Sequence, residues 1–161
     1  MDFTIRKMQT EDTKAVRKIA IEGWHNTYES IIPLEIQDDF LEAAYNEKML
    51  IKRAENTNFY VAEREGKILG FANFSSVKKE RVVELASIYT LPNEKYKGIG
   101  TALIQYAIKD IQPKKIYVSV ESLNTVGLKF YEAKNFKIEK EYDDIFNGHV
   151  LKTTRMYLDM E

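Results

Sequence analysis

The chain has 161 residues, 44% hydrophobic and 30% charged, enough to close one substantial core and too few for two, so residues 1–161 are read as a single domain. Its 24 basic and 25 acidic side chains leave a formal net charge of -1, so no global field favours nucleic acid or an anionic membrane, and any anion binding must be local. Cysteine is absent, which removes disulfides, thiolate metal sites and cysteine nucleophiles. The start, Met1-Asp2-Phe3-Thr4-Ile5-Arg6-Lys7, is too polar for a signal peptide, and no apolar run nears the roughly 20 residues of a membrane span, so the expected location is the cytoplasm.

Phe3 and Ile5 alternate with Thr4 and Arg6, the period of a first strand. Thr10 is expected to cap a helix whose apolar or small face carries Val16, Ile19, Ala20, Gly23 and Trp24. Pro33 suits the first turn of a second helix with Ile36, Phe40, Leu41 and Ala44 on its apolar side, and the polar stretch from Arg53 to Asn58 closes this helical region. Asn58 to Glu63 and Ile68 to Phe74 read as a hairpin around Arg64-Glu65-Gly66-Lys67. Val82 to Leu91 is long enough to cross a sheet, and a helix from about Gly98 to Ile111 follows, ending before Pro113. Ile116 to Val120 is a further strand, and the intervening helix makes it parallel to the one before. A helix near Asn124 to Lys134 and strands around Phe136 to Tyr142 and Val150 to Leu158 complete a mixed α/β chain.

The most informative segment joins the long strand to the helix: Leu91-Pro92-Asn93-Glu94-Lys95-Tyr96-Lys97-Gly98-Ile99-Gly100-Thr101-Ala102-Leu103. The first N–H groups of a helix have no internal partner and sit at the positive end of its dipole, so a phosphate or pyrophosphate is their natural ligand. Glycines at 98 and 100 let such a ligand approach the backbone. A P-loop is excluded because no Gly-Lys-Ser/Thr occurs, and a dinucleotide fingerprint fits poorly because Leu103 stands where a third small residue belongs. Taken alone, the two glycines could equally just shape a tight turn.

With its surroundings, the segment resembles the GNAT superfamily of acetyl-CoA-dependent N-acetyltransferases, whose turn Arg/Gln-x-x-Gly-x-Gly/Ala holds the pyrophosphate of coenzyme A through backbone amides. Lys95 stands here in place of Arg or Gln and keeps the positive charge. Downstream, Asn124-Thr125-Val126-Gly127-Leu128-Lys129-Phe130-Tyr131-Glu132-Ala133-Lys134-Asn135-Phe136 is similar to the family's Asn-x-x-Ala-x-x-Phe-Tyr-x-x-x-Gly-Phe, with Gly127 for alanine and Asn135 for glycine. Asparagine is the best non-glycine residue for a left-handed helix end. The resemblance implies a mostly antiparallel central sheet, flanked by helices, with a parallel pair splayed at the cofactor site. It also implies direct acetyl transfer from acetyl-CoA to a primary amine, without metal or covalent intermediate, and makes a homodimer an expectation. A non-catalytic acyl-CoA-binding module or a plain interaction domain is the alternative.

The resemblance assigns cofactor contacts to Ile88, Tyr89 and Thr90 through their backbone, to Lys95, Tyr96, Lys97, Gly98, Ile99, Gly100, Thr101 and Ala102 in the turn, and to Asn124 and Tyr131 on the later helix. Tyr131 matches the tyrosine that protonates the leaving thiolate. Its structural alternative is ring packing beside Phe130 and Phe136. Glu84, on the long strand, stands where many members carry a glutamate that serves as base or anchors the acceptor; a solvent-facing glutamate is the alternative. Trp24 to Pro33 resembles an acceptor-side loop of one GNAT subgroup, which makes Trp24 and Tyr28 candidate substrate contacts and, with Glu29, suits a cationic amine such as a polyamine. Small amines, amino-acid-like compounds, antibiotics and peptide amines stay open as acceptors. His25 and His149 are the only histidines and lack ligand spacing, so no metal is expected.

Overall fold

The computed structural model describes residues 2–95 and 97–160; the expectation for Tyr96 lies outside them. In chain order the elements are β1 (Thr4–Lys7), α1 (Thr13–Tyr28), α2 (Leu34–Ala44), α3 (Glu47–Asn56), β2 (Asn58–Arg64), β3 (Lys67–Phe74), β4 (Val82–Thr90), α4 (Ile99–Ile111), β5 (Lys115–Glu121), α5 (Thr125–Ala133), β6 (Lys137–Phe146) and β7 (His149–Asp159). The strands form one sheet in the order β1-β2-β3-β4-β5-β7-β6. Only β4 and β5 run parallel; their crossover is α4.

Each face of the sheet carries its own core. On one face Leu103, Ile104, Ala107 and Ile111 of α4, with Tyr131 and Phe136, pack on Tyr60, Phe74, Val83, Leu85 and Ile116. On the other, Val16, Ile19, Ala20 and Trp24 of α1, Leu41 of α2 and Leu50 of α3 cover Phe59, Val61 and Phe71. The β6–β7 hairpin is closed by Asn147 (φ 47) and Gly148 (φ 78), the paired positive φ values of a type I′ turn that match strand twist. Its tip bends onto this second face, with the Phe146 ring 5.0 Å from Phe40 and 5.8 Å from Trp24.

Two expectations about helix starts are corrected. Thr10 caps nothing; it opens a short 3₁₀ turn, Thr10–Asp12, held by a capping box between Gln9 and Asp12. The region from Pro33 to Asn56 is two helices, because Asn46 breaks it and caps α3 by accepting from Met49 N at 2.9 Å. The apolar periodicity ran through this junction, since Tyr45 is itself buried.

Asp12 also anchors β1. Its carboxylate takes two hydrogen bonds from Arg6, at 2.8 and 2.9 Å, and one from Gln9 N at 2.8 Å. Burial pushes the carboxyl up, but the Arg6 and Gln9 bonds outweigh it and hold it below its ordinary 3.8. A lowered folded value stabilises the protein above the unfolded value, and that stability is lost as pH falls through the folded one. Asp12→Asn is therefore expected to cost about 2 kcal/mol at pH 7 and less at pH 3, measured by urea unfolding at the two pH values; an equal loss at both would reject this account.

Candidate active site

The parallel pair opens part-way along. β4 and β5 are paired only from Val82↔Lys115 to Leu85↔Val118, although β4 continues to Thr90 and β5 to Glu121. Beyond that point β4 stays on β3, as far as Gly70↔Thr90, and β5 stays on β7, as far as Glu121↔Thr153. The bend has a local cause: Phe74 faces Leu85 while Asn73 faces Ser87, so Ala86 is an extra residue that bulges β4 away. The facing edges of residues 86–90 and 119–121 are thus left without each other's hydrogen bonds, a slot where an extended ligand can pair with main chain. Ser87 Oγ, in the opened stretch, is buried and makes no hydrogen bond.

At one mouth of the slot stands the start of α4. Gly98 has φ 84 and nothing within 4 Å of where a Cβ would lie, so the turn is left-handed and open. The first intrahelical bond is Ala102 N to Gly98 O at 3.0 Å, which leaves the N–H groups of Ile99, Gly100 and Thr101 without helical partners. Two assignments change here. Ala102 has spent its N–H on Gly98 and buries its side chain, so it has nothing left to offer a cofactor. The helix begins at Ile99, with Gly98 as its cap. Lys97 Nζ lies 3.5 Å from Glu94, which also receives Arg64 Nη2 at 2.8 Å and is held below the usual carboxylate range by that bond. Lys95 Nζ donates to Asn26 Oδ1 at 2.6 Å and so ties the turn to the end of α1. An open left-handed glycine, unpartnered amides and nearby lysines fit a pyrophosphate.

Across the slot, α5 is held at both ends. Asn124 caps it by accepting from Gly127 N at 3.0 Å, and a Cβ at residue 127 would stand 2.6 Å from Asn124 Nδ2, which explains glycine there. At the other end Asn135 is left-handed, φ 72; Phe136 N donates to Tyr131 O and Asn135 N to Glu132 O, both at 3.0 Å. That is a Schellman motif, and its usual apolar contact is Tyr131 on Phe136, ring centroids 5.3 Å apart. Phe130 packs above Gly100, its Cζ 3.1 Å from where a Cβ would be. Tyr131 is thereby fixed against the opening. Asn124 lies ahead of the helix as its cap rather than within it.

The Tyr131 hydroxyl has two of the expected contact residues, Tyr28 and Tyr89, near it. Burial, then the nearby Tyr28, raises its pKa. Tyr28 is raised by burial and interacts through its hydroxyl with Tyr89, with Glu121 acting on it as well. Tyr89 is raised well above the ordinary value by burial and then by Tyr28, and it feels Tyr131. Tyr28, Tyr89 and Tyr131, from α1, β4 and α5, thus lie within electrostatic reach of one another, and burial keeps all three protonated at neutral pH. Gly23 makes this arrangement fit, because a Cβ there would lie 2.7 Å from Tyr89 Cδ1. Tyr89 thus offers a side chain as well as backbone. Trp24 is core, stacked among Tyr28, Phe40 and Phe146.

Glu84 stands just short of the opening, one residue before the last β4–β5 pair. It lies where β4 and β5 are still paired, opposite Tyr117, and both its oxygens face the Arg155 guanidinium, Nη1 at 3.4 Å. Arg155 also reaches Glu139, at 3.5 Å, and its charge lies 4.3 Å from the Tyr117 ring centroid. The partner, seventy-one residues on in the chain, was invisible in the sequence. His25 bonds Asp38 at 2.8 Å on the surface, Glu29 is exposed, and among the described residues no cluster could hold a metal.

A slot between parting parallel strands, with a helix start at one mouth and a fixed tyrosine beside it, matches a known architecture. The Acetyltransferase (GNAT) family model covers residues 17–136. The chain belongs to the GNAT family. As a GNAT acetyltransferase it is an acetyl-CoA-dependent N-acetyltransferase, and the mixed sheet with its splayed parallel pair is the GNAT fold. It is 27% identical over 148 residues to spermidine N(1)-acetyltransferase of Thermoplasma acidophilum, covering 86% of this chain and 91% of the relative. It is 29% identical over 142 residues to the peptidyl-lysine N-acetyltransferase YiaC of Escherichia coli, covering 83% of each. In fold, this GNAT chain superimposes with a TM-score of 0.88 on the Thermoplasma acidophilum PaiA N-acetyltransferase crystallised with coenzyme A, over 99% of both chains at 23% identity. No helix among the described residues is long and apolar enough to cross a membrane.

Proposed function

We propose that the acceptor is a primary amine on a slender, cationic chain, with a linear polyamine the best candidate. What supports the reading is the acceptor side of the slot, where Tyr28 and Tyr89 pack in one cluster and Glu121 ends β5 on the face opposite Val118 and Val120. Aromatic faces and a carboxylate stabilise a cationic chain. The spermidine-acetylating relative supports the same class.

Acetyl-CoA brings the activated acetyl group as a thioester. The free amides of Ile99, Gly100 and Thr101 with Lys97 hold its pyrophosphate, and the unpaired edge of Ile88 to Thr90 receives its extended arm. Tyr131, buried and protonated, is placed to give a proton to the departing sulfur. Purified protein supplied with acetyl-CoA should release free coenzyme A faster with spermidine than with a lysine-bearing peptide of equal concentration. A preference for the peptide would transfer the reading to peptidyl lysines, the acceptor of the Escherichia coli relative.

A further inference from the structure

Glu84 is occupied by Arg155, so a carboxylate for the acceptor must come from elsewhere. Glu121 is the last residue of β5, just where the slot is widest. Continuing the β4–β5 register past Leu85↔Val118 sets Glu121 across the opening from Ile88, between Ser87 and Tyr89. Val118 and Val120 point into the α4 core, so strand alternation sends Glu121 to the opposite face, where Tyr28 and Tyr89 pack. The residue is only 8% exposed, and buried carboxylates need partners. One oxygen, Oε2, has a partner, accepting from Leu123 N at 2.7 Å. That bond fixes the rotamer, and the other oxygen accepts no hydrogen bond among the described residues.

We propose that Glu121 is the residue that binds the acceptor nitrogen in the slot and accepts the proton it sheds. The assignment rests on the N-acetyltransferase reading above. The step balances as follows. The lone pair of the neutral amine forms the N–C bond to the thioester carbonyl, and the attached N–H becomes strongly acidic once nitrogen carries positive charge. The free Glu121 oxygen takes that proton. The carbonyl re-forms, the C–S bond breaks with its electron pair on sulfur, and Tyr131 protonates the thiolate. Products are the N-acetyl amide and free coenzyme A, and both residues return to their starting states by proton exchange with water. Around Glu121, Tyr28 of α1 lies within electrostatic reach, and β7 pairs Thr153 with it and, two residues back, Arg155 with Ser119, so the charged group on its face is Arg155, held by Glu84. The one other carboxylate in this register, Glu84, is engaged by that guanidinium.

The test compares Glu121→Gln and Glu121→Asp with the parent protein. Glutamine preserves the bond from Leu123 N and removes only charge and basicity. Its expected effects are a spermidine Kd raised about tenfold by calorimetry in the presence of coenzyme A, kcat lowered about a hundredfold, and loss of the acidic limb of the kcat/KM pH profile. The acetyl-CoA Kd stays within twofold. Aspartate, one methylene shorter, should restore part of kcat and the acidic limb. Unchanged spermidine binding and an unchanged pH profile in Glu121→Gln would overturn the assignment, as would Glu121→Asp behaving no better than glutamine. If the parent protein bound acetyl-CoA but acetylated no amine, the functional reading would fail instead, and the two failures are distinct.

Discussion

Tyr131→Phe is expected to lower kcat for amine acetylation by about a hundredfold while leaving the acetyl-CoA dissociation constant within about twofold. The magnitude is that of one lost general acid, and the asymmetry follows from position. Tyr131 is 6% exposed, and its ring, which packs between Phe130 and Phe136, survives the change. Its hydroxyl makes no hydrogen bond among the described residues, so removing it orphans nothing and the melting temperature should hold. The pH argument has a definite sign. Burial, then Tyr28, raises the pKa, so the proton is present through the neutral range and the parent rate should not fall until strongly alkaline pH. Steady-state kinetics across pH with calorimetric acetyl-CoA titration check this; an unchanged kcat would remove Tyr131 from the chemistry.

Gly98→Glu should weaken acetyl-CoA binding by at least a hundredfold, about 2.7 kcal/mol. Two effects combine. Residue 98 has φ 84, a left-handed conformation that costs a non-glycine residue about 1–2 kcal/mol, and the new carboxylate would sit at the helix start where the pyrophosphate must go. Gly98→Ala separates them. With open space around the position, alanine brings only the backbone strain, so it should lower the melting temperature slightly and affinity a few-fold. If both variants bound alike, charge in the cradle would be irrelevant and the pyrophosphate would have to lie elsewhere.

The donor half of the site was legible because its determinants are local. Gly98, Asn124 and Asn135 each solve a helix-end problem visible within a few residues, and all three occupy the predicted ends. The parallel pairing followed from a helix of known span between two strands. The acceptor half was legible only in outline, because it is assembled from distant elements. Glu84 was prominent as an acid on an apolar strand, yet its meaning depended on Arg155 from a strand near the far end of the chain. Glu121 was passed over because it looked like the end of a strand; the signal was present in its place three residues before the Asn124 cap and in the one-residue step from Val120, which faces the core. The split between α2 and α3 was missed because Tyr45 kept the apolar period intact across a break set by the Asn46 cap.

The packing of Trp24 has a practical side. It is the chain's only tryptophan, and its indole touches Tyr28 at one edge and Phe146 of the closing hairpin at the other. Emission from this sequence under tryptophan-selective excitation therefore comes from one spot, the seam between Tyr28 and the β6–β7 hairpin. The molecule carries its own optical gauge of whether that seam is closed.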